Sequence, residues 1–169
     1  MTETEAASQP VEQPLPEDLA AALTEGVLEV SFDGTTIRLL VRPEALPEVV
    51  RALRDRETGP YVNLASLAGL DHGDDLGVVY HLYRLGSAAR AVIHVRLPRS
   101  SPQEPSIAEL LPAADWKERE AGEMFGIEFA GHPDLRKLLL PDDWEGYPLR
   151  KDYVIPEHPY LTPDPRHEL

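Results

Sequence analysis

GVVYHLYRLGSAARAVIHVRL, residues 77–97, decides the architecture of this chain. Two runs, Gly77–Leu85 and Arg90–Leu97, flank Gly86-Ser87, a pair suited to a tight turn, and so predict a hairpin. In the second run Ala91, Ile93, Val95 and Leu97 share one side while Val92, His94 and Arg96 share the other, because successive strand side chains point to opposite faces. Such alternation belongs to a sheet with one face packed and one face open.

Upstream, Val27–Phe32 and Thr36–Val41 flank the turn pair Asp33-Gly34 and predict another hairpin. Pro43–Asp55 reads as a helix, since Leu46, Val49, Val50 and Leu53 fall at i, i+3, i+4 and i+7. Tyr61–Leu70 reads as a strand or a strand plus turn, and Glu17–Thr24 as a short helix stopped by Gly26. Downstream, Ser106 with Glu109 has capping-box spacing for a short helix. Asp115 with Glu118 repeats it, predicting a longer helix from Asp115 to Phe125 that closes at Gly126. Hairpins rather than parallel crossovers connect the strands throughout. The fold class is therefore α+β: a mainly antiparallel sheet with helices on one face, plus a long extended C-terminal tail.

Composition divides the chain in three. Residues 1–16 hold three Pro, three Glu and no basic residue, the composition of a disordered tail. Residues 17–126 carry the periodic patterns and form the α+β domain. From 127 to 169 periodicity stops and seven of the seventeen prolines appear, yet Leu, Trp and Tyr stay frequent. Forty structureless residues do not belong inside a compact domain, and a disordered tail should be poor in large apolar side chains. The reading that satisfies both is an extended segment whose apolar side chains pack against a partner. The alternative is that it folds back over its own domain. On the first reading, Arg150→Glu or Trp144→Ala weakens assembly and leaves the melting temperature unchanged.

The 169 residues include no cysteine, which removes disulfides, thiolate nucleophiles and cysteine-ligated clusters. With 16 basic and 30 acidic residues the net charge is −14, so nucleic acid and anionic lipid are poor direct partners. No signal peptide or membrane span is visible, and the chain reads as cytoplasmic. The six histidines show no HxH, HxxxH or HExxH spacing; His81 and His94 could face each other across the hairpin. Asp71–Asp75 is an acidic turn rather than a calcium loop, because position twelve is Leu82. Glu118, Glu120 and Glu123 read as a solvated helix face. No phosphate-binding loop or nucleophile elbow occurs.

The stretch from Glu118-Arg119-Glu120-Ala121-Gly122-Glu123-Met124-Phe125-Gly126 through Gly131-His132-Pro133-Asp134-Leu135-Arg136, Leu140-Pro141-Asp142-Asp143-Trp144 and Tyr147-Pro148-Leu149-Arg150-Lys151-Asp152-Tyr153 resembles the signature of the C-subunit family of NADH–quinone oxidoreductase, respiratory complex I. Val79-Tyr80-His81-Leu82 and Val95-Arg96-Leu97-Pro98 extend the likeness, which covers roughly residues 36–155. Glu123 stands where the family usually has Asp. Gly122 replaces a small or β-branched residue, loosening the helix by ~1 kcal/mol relative to Ala.

The resemblance implies a peripheral-arm subunit with no cofactor of its own, in an enzyme whose other subunits carry FMN, iron–sulfur clusters, NADH and quinone. It implies packing against the quinone-site and iron–sulfur subunits, contact with the membrane only through the complex, and a location on the cytoplasmic face of the cell membrane. The partner-binding residues it carries over are Glu118, Arg119, Glu123, Phe125, Gly126, His132, Pro133, Arg136, Pro141, Asp143, Trp144, Pro148, Arg150, Lys151 and Tyr153. Membrane-bound hydrogenases and plastoquinone-, ferredoxin- or deazaflavin-linked complexes contain similar subunits and form the alternative. A reading from another class is a free-standing acidic enzyme using Glu120, Glu123 and His132.

Overall fold

In the computed structural model, residues 14, 15, 17, 20, 26–57 and 59–154 are described. The predicted 17–24 helix and 1–16 tail lie almost wholly outside them, though Leu15 packs against the core. The first hairpin is β1 (Val27–Phe32) and β2 (Thr36–Val41). Its turn is tied by Asp33, whose carboxylate accepts the amides of Thr35 (3.0 Å) and Thr36 (2.8 Å). A 3₁₀ turn at Pro43–Ala45 leads into α1 (Leu46–Arg54). All four apolar residues of its predicted stripe are fully buried, each contributing roughly 1.5–3 kcal/mol. β3 (Asn63–Asp71), β4 (Asp75–Tyr83) and β5 (Arg90–Pro98) follow as a meander.

The sheet order is β1-β2-β5-β4-β3. Three of its four pairings are antiparallel, but β2 and β5 run parallel, Ile37 opposite Ala91 and Val41 opposite Val95. The expectation of hairpins throughout is corrected here: the first hairpin and the meander each form locally, then join through their apolar inner strands. A tight turn marks a local pairing in sequence, and nothing marks a distant one.

Core-side residues of the sheet, the stripe of α1 and the inner side of α2 (Asp115–Phe125) form one cluster. The helices thus cover one face, as the patterning requires. The opposite face is open and carries Arg38, His81, His94 and Arg96. His81 lies opposite Val92 and His94 opposite Val79, so the two imidazoles are diagonal rather than facing. Burial, then the neighbouring His81, His72 and Arg96, hold the His94 pKa below its ordinary value.

Two further strands flank α2: β6 (Gln103–Pro105) and β7 (Glu128–Ala130), paired in parallel. Ile127 and Phe129 are buried in the core, which therefore continues past Gly126. The short helix expected at Ser106 is a single turn, with the amides of Leu110 and Leu111 donating to the Ile107 carbonyl. Pro112 ends it by forcing Leu111 into extended backbone (φ −132°, ψ 97°). Ala114, not Asp115, is the N-cap of α2, and Gly126 closes the helix at φ +69°, a conformation open to glycine.

Candidate docking surface

α2 is the spine of the candidate site, and the solvated face expected for its glutamates is not what the structure shows. Only Glu120 is exposed. Glu118 is fully buried: it accepts the Ile107 amide (2.8 Å) and the Ser106 hydroxyl, taking the partners that its predicted capping box would have denied it. Burial raises its pKa above the ordinary value. Glu123 points along the next helical turn and accepts the amides of Leu138 and Leu139, both at 2.8 Å.

Those two amides belong to a strap, residues 131–154, which has no regular secondary structure and turns back over α2. Arg119 donates to the carbonyls of Arg136 (3.0 Å) and Lys137 (3.2 Å). The buried His132 ring lies 3.1 Å from the Asp115 carbonyl through Nε2, and its Nδ1 accepts the Asp134 amide (3.0 Å); one tautomer, with the proton on Nε2, satisfies both. Lys137 Nζ reaches the carbonyls of Pro141, Asp142 and Trp144, gathering a loop around one ammonium. Arg150 donates to the Phe125 carbonyl (2.6 Å) and lies 4.5 Å over the Tyr147 ring. The Leu149 amide donates to the Met124 carbonyl (3.1 Å). Trp144 and Tyr153 stack at 6.4 Å, and the Tyr153 hydroxyl donates to the Glu145 carbonyl (3.1 Å).

The far end of the strap is clasped by a residue that the sequence offered only as part of an acidic turn. Asp71 accepts the Arg99 guanidinium, the Gly73 amide and the Lys151 amide, each at 2.8 Å. Arg99 also pairs with Asp152. The Arg99 guanidinium, helped by the Lys151 amide, holds the Asp71 carboxyl well below the usual carboxylate range. Asp71 and Arg99 were not legible as site residues, because they come together across 28 residues with no local motif.

The carried-over residues thus divide. Arg119, Glu123, Phe125, Gly126, His132, Arg150, Trp144 and Tyr153 bind the strap to its own domain or to itself, Lys151 does so through its backbone, and Glu118 instead holds Ser106 and Ile107. The Pro141 carbonyl accepts the Trp144 amide (3.1 Å), and Pro148 is half-buried. Pro133, Arg136 and Asp143 are exposed, with Arg136 paired to Asp134. Glu120, Glu123 and His132 do not form a catalytic group: one is exposed and the others are engaged with backbone. Large apolar side chains face outward beside these polar ones. Leu135, Leu139, Tyr147, Leu149 and Val154 are 42–83% exposed, and Trp116 on α2 is 66% exposed. A strap anchored by hydrogen bonds that leaves several large apolar side chains in solvent departs from ordinary burial, and such patches mark interaction surfaces.

An α+β sheet domain carrying a C-terminal strap of this kind is a recognisable class. This chain belongs to the family described as respiratory-chain NADH dehydrogenase, 30 Kd subunit, whose model matches residues 39–159. It is 41% identical over 135 residues to the NADH-quinone oxidoreductase C subunit of Saccharopolyspora erythraea, covering 78% of this chain and 54% of that one. It is 42% identical over 143 residues to the corresponding C subunit of Roseiflexus castenholzii, covering 81% and 80%. The chain spans about half the length of several of the curated relatives it matches. Among solved structures, Nqo5 as a trypsin-resistant fragment aligns at TM-score 0.53 and 25% identity, covering 70% of this chain and 95% of that one. A chain of the membrane-bound sulfane sulfur reductase, an archaeal respiratory membrane complex, aligns at 0.69 and 22%, covering 82% of each; that likeness is one of fold. No helix among the described residues is long and apolar enough to cross a membrane.

Proposed function

We propose that this chain is a non-redox structural and assembly subunit of the peripheral arm of a proton-translocating NADH:quinone oxidoreductase, docked on the quinone-site subunit through the apolar side of its strap. The observation that carries the reading is how the strap is held: its anchors on the domain are hydrogen bonds, and Leu135, Leu139, Leu149 and Val154 are left turned out. Apolar surface of this kind gains by leaving water, and a partner supplies the burial. FMN, iron–sulfur clusters, NADH and quinone sit on other subunits in this reading, which puts the chain on the cytoplasmic face of the membrane and in contact with it only through the complex.

The test is a tagged pull-down from gently solubilised membranes with mass spectrometry of what co-purifies. Quinone-site, iron–sulfur and flavin subunits together support the reading. Hydrogenase-like partners with no NADH-binding subunit keep the structural role and change the electron donor. A chain recovered alone defeats the assembly role.

A further inference from the structure

We propose that the outer edge of β3 receives an extended strand from another protein, one whose side chains alternate between apolar and acidic. β3 is an end strand of the sheet, with β4 as its only strand neighbour among the described residues. Its sequence from Asn63 to Leu70 has no charge and no proline, and its register, which shifts between Leu64 and Ser66, is regular from Ser66 to Asp71. Edge strands are ordinarily guarded by charge, proline or irregularity, because an unguarded row of amides and carbonyls invites another strand. The opposite edge, β1, carries Glu29 and an irregular register between Val27 and Glu29. The uncharged β3 edge fits a role that needs it open in the isolated chain and paired in an assembly.

Which groups point outward follows from the hairpin. His72 donates to the Asp75 carbonyl (3.0 Å), so these two form a bonded pair. Alternation then bonds Leu70, Ala68 and Ser66 to Gly77, Val79 and His81, and turns the amides and carbonyls of Leu67, Gly69 and Asp71 toward the free edge. The strap holds the Asp71 end through Lys151, leaving Ser66–Leu70 open.

The two sides of that edge differ. Toward the helices lies a cleft of about 150 Å³ walled by Leu67, Ala121, Met124, Phe125 and Leu149, with Lys117 and Glu120 adding opposite charges. Toward the open face lies a hollow of about 500 Å³ whose lining, among the described residues, includes Ser66, His81 and Arg90 and no carboxylate. An added strand sends alternate side chains to these two sides: apolar ones into the cleft, acidic ones toward Arg90 and His81. A second copy of this chain is opposed by its −14 charge. The chain's own last residues bring Pro156, Pro159, Pro163 and Pro165, which lack the amides a ladder needs.

The proposal rests on the chain being a subunit of a larger assembly, and its test separates the two. Amide hydrogen exchange, resolved to single residues, is compared between the isolated full chain and the chain in its purified complex. The amides of Leu67 and Gly69 are expected to slow at least about 100-fold in the complex, with Ala68 and Leu70 protected in both states. If Leu67 and Gly69 keep their isolated rates while Tyr147–Val154 slow, strand addition is overturned and strap docking stands. If neither region slows, or no complex is recovered, both readings fall. A carboxylate set at the free edge on the side that receives the acidic side chains, Ala68→Glu, is expected to cut incorporation by at least about tenfold at unchanged melting temperature. Incorporation at the native level overturns the proposal, and if this variant melts early the exchange rates of the unmodified chain decide.

Discussion

Glu104 sits where its chemistry is least at home. One carboxyl oxygen accepts the hydroxyl of the fully buried Tyr80 (2.7 Å), and the other is buried with no hydrogen-bond partner among the described residues. Burial, with the nearby Glu118, pushes its pKa from 4.5 to about 8. A group whose folded pKa is raised holds its proton more tightly folded than unfolded, so stability is greatest below the unfolded value and falls as pH rises through the folded one. The decline should therefore run from about pH 5 to about pH 8. Glu104→Gln keeps the Tyr80 contact and removes the ionisation, so it should flatten that decline and gain a few kcal/mol at pH 8 relative to pH 5. Thermal melts of both proteins across that range are the check; parallel profiles would sink the account. None of this was legible. Gln103-Glu104-Pro105 has the composition of a surface turn, and its three-residue strand is created by a distant partner, β7. Glu118 was visible as a helix residue, but its burial depends on a loop eleven residues upstream folding over it.

At the scale of elements, the strap takes up the alternative that the sequence left open and rests on its own domain. Arg150→Glu removes the hydrogen bond to the Phe125 carbonyl and the contact with Tyr147. A hydrogen bond from a charged donor contributes roughly 1.5–3 kcal/mol, so the isolated chain should melt roughly 4–8 °C lower. An unchanged melting temperature would mean that the strap does not rest on the domain in solution. The regular elements were far more readable: α1, α2 and the β3–β4–β5 meander fall within a few residues of their expected bounds. Their signals are local, a repeat of 3.6 or 2 with a turn at the end. The strap has no repeat to read. Its course is set residue by residue by backbone groups seeking partners on α2, and backbone bonding partners leave no trace in side-chain pattern.

Across the described residues the core ends at Phe129, and every buried large apolar side chain precedes the strap. A chain ending at Ala130 should still unfold in one cooperative transition, at a lower temperature, and should fail to join the complex. Loss of cooperative unfolding would show that the strap belongs to the core, and normal incorporation would show that docking lies elsewhere. The fold class was legible because four strands declare themselves in two hairpin-like pairs; the parallel seam of β2 with β5 was not. That seam also bears on time. Its partners lie 54 residues apart, Ile37 with Ala91, whereas the hairpins close over a few residues, and closing the longer loop costs more chain entropy. Folding should wait on the seam: Leu39→Ala should slow folding, while substitutions in the Gly86 turn act mainly after the rate-limiting step. The rate at which this chain becomes ready to assemble is then set by the one pairing that its sequence does not announce.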